Sequence, residues 1–158
     1  GEDAAALRGG GRGAAGEGSA MAPLADVGRI LVVESDAETR RNLSRFLAAH
    51  GYHVDEAGDG EEGLDRAGGA DLPYDVILLD DHLPDATGLE MLSALRAVSR
   101  GSLVVFMSPS GARERFFEAM ACGAYEFLQK PLWLQEALRI VARGIRERRN
   151  GFVAEAVR

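Results

Sequence analysis

Five short apolar runs, each followed by a stretch of helical periodicity, constrain this chain more than any other feature. RILVV, YHVDEA, YDVILLD, SLVVFMS and AYEFLQ are the length of strands, and too short for buried helices. Behind four of them, apolar residues follow helical spacing: Leu43, Phe46 and Leu47, then Leu89, Leu92 and Leu95, then Phe116 and Met120, then Leu134, Leu138, Val141 and Ile145. Asp59 opens a shorter helix, and His50-Gly51, Gly68-Gly69 and Gly123 supply stop signals. Strands that alternate with helices in this way are joined by crossovers. The expected fold is therefore α/β, a doubly wound five-stranded parallel sheet with helices on both faces.

Composition sets the frame around that fold. At 158 residues and 46% hydrophobic content the chain buries one ordinary core and is too short for two. Residues 1–28, with RGGGRGAAGEGSA at their heart, hold almost nothing large enough to pack and are expected to be a disordered Gly/Ala-rich leader. Met21 offers a start, so residues 1–20 are expected to be upstream linker. The domain is expected over residues 29–149, with 150–158 a tail or the start of a linker.

A net charge of −7, from 18 basic and 25 acidic residues, argues against nucleic acid as a direct partner, since phosphate binding needs dense Lys and Arg. The single cysteine, Cys122, excludes an internal disulfide and a cysteine-rich zinc site and suits a reducing compartment. No apolar run reaches the ~18 residues of a membrane span, and no basic-then-apolar signal order opens the chain. The expected setting is the cytoplasm, away from the membrane.

In open α/β sheets, chemistry gathers beyond the carboxyl ends of the strands. Those ends carry Glu34-Ser35-Asp36, Asp80-Asp81-His82, Ser108 and Lys130-Pro131. The first loop lacks the glycines of a nucleotide cradle, and its acidity would repel a bare phosphate. It is equally unlike the hydroxyl- and glycine-rich first loop of a flavodoxin. Carboxylates about 4 Å apart repel by roughly 4 kcal/mol per pair at an effective dielectric near 20. A hard cation such as Mg²⁺ relieves that repulsion and can then hold phosphate oxygens. A haloacid-dehalogenase-type phosphatase would place a second Asp two residues after the first, where His82 stands. No second His, Cys or acid stands at zinc-like spacing from His82.

The ordered set VILLDDHLPDATGLEML, FMS and GAYEFLQKP resembles the response-regulator receiver domain of two-component signalling, over residues 29 to about 149. The resemblance implies strand order 2-1-3-4-5 and a phosphoryl group taken on Asp80 from a sensor histidine kinase or histidine phosphotransfer protein. It also implies that Glu34 holds the first acidic position, that His82 offers its backbone carbonyl to Mg²⁺, and that Lys130 pairs with phosphoryl oxygens. Ser108 and Phe127 are then the hydroxyl and aromatic of the switch, and the Lys130-Pro131 bond is cis. Catalysis is confined to the domain's own phosphorylation and dephosphorylation, so it is not otherwise an enzyme.

Two positions depart from the family pattern. Ser35 replaces an Asp that binds the metal directly, leaving Asp36 as substitute ligand or as a helix cap. Pro109 has no backbone N–H to support the phosphoryl group. A second reading therefore stands beside the first: an atypical pseudo-receiver that binds protein without phosphorylation. Finally, Trp133 and Ile140 lie outside the apolar stripe of the last helix and are expected to belong to a surface for targets or for a homodimer, built from the fourth helix, fifth strand and fifth helix.

Overall fold

The structure, a computed structural model, describes residues 26–109, 111 and 113–151 of the chain. The expectations for residues 1–25 and 152–158 lie outside the described residues. Five strands alternate with five helices: β1 (Arg29–Val33), α1 (Ala37–Ala49), β2 (His53–Ala57), α2 (Gly60–Gly69), β3 (Val76–Asp80), α3 (Gly88–Val98), β4 (Leu103–Pro109), α4 (Arg113–Ala121), β5 (Glu126–Lys130) and α5 (Leu134–Arg149). All strand pairs are parallel and the sheet order is β2-β1-β3-β4-β5, as expected.

Strand composition follows position in the sheet. Every residue of β3, at the centre, is buried, whereas β2 at one edge carries His53, Asp55 and Glu56 and is only half-buried. Alternate residues then divide the core. Leu31, Val33, Ile77, Leu79, Val104 and Phe106 face Met91, Leu92 and Leu95 of α3 and Ala119 of α4. Ile30, Val32, Val76, Leu78, Val105 and Met107 face Leu43 and Leu47 of α1 and Ala137, Ile140 and Val141 of α5. The starts of α1, α2 and α3 are capped by side chains: Asp36 accepts from Thr39 N–H at 2.8 Å, Asp59 from Glu62 N–H, and Thr87 forms a capping box with Glu90.

The buried face of α5 differs from expectation. In α5 the buried residues are Ala137, Ile140, Val141 and Gly144, while Leu134, Leu138 and Ile145 flank them and are only partly buried. Ile140 is 2% exposed, so it is core and not surface. The cause is close approach. A Cβ on Gly144 would stand 3.3–3.5 Å from Tyr125, Val76 and Leu103, so the smallest residues sit nearest the sheet and rotate the helix.

Candidate functional site

The carboxyl ends of β1, β3 and β5 bring three ionisable groups together. Glu34 follows β1, is wholly buried, and fixes its backbone by donating N–H to Ala57 O at 3.0 Å. Its Oε2 accepts from Asp36 N–H at 3.0 Å, and its Oε1 lies 2.7 Å from Lys130 Nζ. Asp80 ends β3 with 2% exposure. Its Oδ1 accepts from Lys130 Nζ at 3.0 Å and from His82 N–H at 3.2 Å. Lys130, the last residue of β5, precedes a cis peptide bond to Pro131 and bridges both carboxylates.

These contacts set the charge states. Burial pushes the Glu34 carboxyl above its ordinary value, with Lys130 and the Asp36 N–H pulling only partly against it. Burial opposes the charge on Asp80 as well, but the Lys130 ammonium and the His82 N–H outweigh it and hold this carboxyl low. Lys130 loses hydration, yet its two carboxylate partners raise it. The result is an ionised, largely desolvated carboxylate at the end of the central strand, with a cation on one of its oxygens.

The other oxygen meets a hydroxyl. Ser35 Oγ lies 3.0 Å from Asp80 Oδ2 and 3.0 Å from the His82 carbonyl, and Ser35 N–H reaches the same Oδ2 at 3.3 Å. A hydroxyl has one proton, so it donates to one of these acceptors at a time. Asp80 Oδ2, His82 O and Ser35 Oγ thus form a cluster of hard oxygen donors that fits Mg²⁺, with the buried Glu34 carboxyl behind it. The cluster is one carboxylate short: among the described residues no three His, Cys, Asp or Glu side chains gather as metal ligands. Asp36 does not fill the gap. It is exposed, and its Oδ2 accepts both the N–H and the hydroxyl of Thr39, which hold its carboxyl low.

Ser108 stands near the end of β4. It is fully buried, but its hydroxyl donates to Asp81 Oδ2 at 2.9 Å and not to Asp80. Asp81, 4% exposed, also receives Arg115 Nε on Oδ2 at 3.0 Å and Arg115 Nη2 on Oδ1. Burial opposes this charge too, while Arg115 and Ser108 together hold the Asp81 carboxyl low. Among the sequence motifs Asp81 appears only as one of the strand-end acids and Arg115 not at all, although a buried carboxylate requires a partner. Phe127 is half-buried, stacked on Phe106 at 6.0 Å and edge-on to Phe116 at 5.4 Å. Trp133 precedes α5 and is 74% exposed, whereas Ile140, expected beside it, is in the core.

Comparison with known proteins agrees with the fold. A family model described as "Response regulator receiver domain" matches residues 30–142. A probable transcriptional regulatory protein, SilR of Salmonella typhimurium, is 34% identical over 128 residues, covering 81% of this chain and 55% of that protein. A receiver domain protein of Methanospirillum hungatei has the same fold, with a TM-score of 0.74 at 23% identity over 80% of this chain and all of that one. A chemotaxis protein of Vibrio cholerae superimposes with a TM-score of 0.68 at 29% identity, over 74% of this chain and 98% of that one. The chain spans about half the length, or less, of the curated regulators it matches. No helix among the described residues is long and apolar enough to cross a membrane.

Proposed function

The chain belongs to the response regulator receiver domain family, and from that membership we propose that it relays a signal by taking a phosphoryl group onto Asp80. The observation that carries this reading is the Asp80 carboxylate, buried at the end of the central strand yet held ionised by Lys130. The donor is a phosphohistidine of a sensor kinase or phosphotransfer protein. Its N–P bond breaks as an Asp80 oxygen bonds to phosphorus, and the electron pair returns to the imidazole. Such transfer needs little from a protein beyond position and charge neutralisation. Lys130 neutralises phosphoryl charge, Glu34 keeps Lys130 beside Asp80, and the Ser35, Asp80 and His82 oxygens would hold Mg²⁺. When bound, that ion supplies further charge neutralisation for the transferred group.

Phosphorylation then places new acceptor oxygens near Ser108 and Phe127, and the aromatic cluster with Phe116 transmits the change to the surface. Phe116, Phe117, Phe127, Gln129 and Glu136 line an open groove of about 450 Å³ next to exposed Trp133, a surface suited to a target or to a second copy. On this reading the domain works in the cytoplasm and turns over no substrate beyond its own phosphoryl group. Incubation with acetyl phosphate and Mg²⁺ is expected to add one phosphoryl group by intact mass, and Asp80→Asn to abolish it. Label persisting on Asp80→Asn overturns the assignment.

A second reading, a pseudo-receiver that binds partners without phosphorylation, is favoured by the Ser35 hydroxyl standing on both Asp80 and His82 O where a metal-binding carboxylate is absent. Wild-type protein that stays unlabelled at every donor concentration, and shows no response to Mg²⁺, decides for it.

A further inference from the structure

Asp81 and Arg115 have no part in the chemistry described above, yet they form a second, part-buried ion pair directly beside Asp80. The backbone of Asp81 is pinned on both sides: its N–H donates to Met107 O at 2.8 Å and its carbonyl accepts from Gly88 N–H at 2.9 Å. Helix α3 starts directly against it. A Cβ on Gly88 would stand 2.7 Å from Asp81 Cα, from Asp81 Oδ1 and from Phe106 Cζ. The carboxylate is consequently aimed in one direction. Arg115 engages both of its oxygens, lies 5.9 Å from the Phe106 ring centroid, and is steadied by Glu118 at 3.1 Å.

Strand alternation decides which acid Ser108 meets. Ser108 follows Val104 and Phe106 onto one face of β4, and Asp81 follows Ile77 and Leu79 onto the same face of the sheet, whereas Asp80 falls on the opposite parity. The Ser108 hydroxyl has a single proton, and Asp81 Oδ2 takes it at 2.9 Å. While that bond stands, Ser108 cannot donate to an oxygen carried by Asp80.

We propose that Asp81, fixed by Arg115, is a positioning residue that holds the Ser108 hydroxyl away from Asp80 and thereby opposes the phosphorylated state. This rests on the reading of Asp80 as phosphoacceptor. Phosphorylation must take Ser108 from a charged, buried acceptor, and a domain with an apolar residue at position 81 would not face that competition. Release is transmitted through Arg115, because the next residue of α4 is Phe116, whose ring stands edge-on to Phe127. The pair therefore joins the state of the hydroxyl to the aromatic cluster at the surface.

The test is a labelling cycle on the full chain with acetyl phosphate and Mg²⁺, comparing wild type, Asp81→Leu, Ser108→Ala and the double variant by intact mass. Asp81→Leu leaves Arg115, already 31% exposed, free to turn toward water and Glu118. It is expected to lower the donor concentration for half-labelling about tenfold, the size of effect expected for a charge-assisted hydrogen bond. In the Ser108→Ala background the same change is expected to do nothing. An equal effect of Asp81→Leu with and without Ser108, or no effect in a folded variant, overturns the proposal. Should circular dichroism show Asp81→Leu unfolded, Asp81→Asn replaces it, with a smaller shift in the same direction and the same dependence on Ser108. Wild type that labels while the position-81 variants match it refutes the positioning role alone. If wild type and every variant stay unlabelled, the phosphoacceptor reading fails and the proposal falls with it.

Discussion

On the proposed reading, Ser35 is the residue on which Mg²⁺ binding would turn. Its hydroxyl is neutral where the sequence resemblance expects a carboxylate, and it joins Asp80 Oδ2 to the His82 carbonyl at 3.0 Å each. That bridge lets Glu34 and Asp80 share the pocket with only Lys130 between them. Replacing Ser35 with Asp would put a third carboxylate there, with like-charge repulsion of up to roughly 4 kcal/mol per neighbour at about 4 Å, less after screening because Ser35 is exposed. A divalent cation reverses that sign, since affinity in oxygen sites rises with ligand charge. Ser35→Asp is therefore expected to bind Mg²⁺ about tenfold more tightly than wild type by calorimetric titration. It should also melt lower than wild type in chelator and gain more stability on adding Mg²⁺, because ligand binding to the folded state is stability. Equal affinity before and after the change would mean that water or Asp36 completes the coordination, and the account of a weakened site would be wrong. Most of this site was legible from residue types at strand ends: Glu34, Asp80 and Lys130 stand together because they lie at the carboxyl ends of β1, β3 and β5 in one parallel sheet. The partner chosen by Ser108 was not read, although the alternation of Ile77, Leu79 and Asp81 beside Val104, Phe106 and Ser108 contained it.

At the scale of elements, α5 shows why apolar periodicity locates a helix more surely than it orients one. Leu134, Leu138, Val141 and Ile145 form the largest apolar stripe, but a helix rests on a sheet where its backbone can come closest. Ala137 and Gly144 permit that approach and draw Ile140 inward with Val141. A scale that weights side chains by size ranks those two residues low, so it places the stripe to one side. The consequence separates Ile140 from Trp133. Ile140→Ala leaves a cavity under α5 and is expected to cost about 2–5 kcal/mol in urea unfolding. Ile140→Glu should not fold, because it buries an unpaired charge. Trp133→Ala, at 74% exposure, is expected to stay within about 0.5 kcal/mol of wild type. Any role of the α4–β5–α5 surface in association must then be read from Trp133 and Phe117, which are exposed, and not from Ile140. In α4 likewise the small Ala119 is buried, while Phe116 of the expected apolar face is 37% exposed; α1 was read more directly. There Leu43 and Leu47 lie on the expected face and are both fully buried.

For the whole molecule, the sheet separates two ionic centres. The Glu34, Asp80 and Lys130 cluster lies past the carboxyl ends of the strands, and a second centre around Asp75 lies before their amino ends. Asp75 is 1% exposed and ties three distant parts of the chain together. Its Oδ2 accepts from the Arg29 N–H at 2.9 Å, at the start of β1. Its two oxygens also pair with Arg148 at 2.6 Å and Arg149 at 3.0 Å, in the last turn of α5. Arg149 further reaches the carbonyls of Asp26 and Val27, and Arg148 that of Gly101. Asp75 thus anchors the terminal helix and the chain entering β1 to the central strand. Removing it leaves the Arg29 N–H without its acceptor, while the arginines, 21% and 32% exposed, recover part of their hydration. Asp75→Ala is expected to cost about 2 kcal/mol, below the roughly 3–5 kcal/mol for breaking a fully buried pair. Hydrogen exchange should quicken in the last turn of α5 and at the Arg29 amide and stay unchanged at the amides of Leu78 and Leu79 in β3. Labelling of Asp80 should be unaffected, because the sheet between the two centres is close-packed and Asp75 shares no partner with Glu34, Asp80 or Lys130. A change in labelling that accompanies loosening of α5 would show that the two poles are coupled, and that the amino-end anchor is part of the switch.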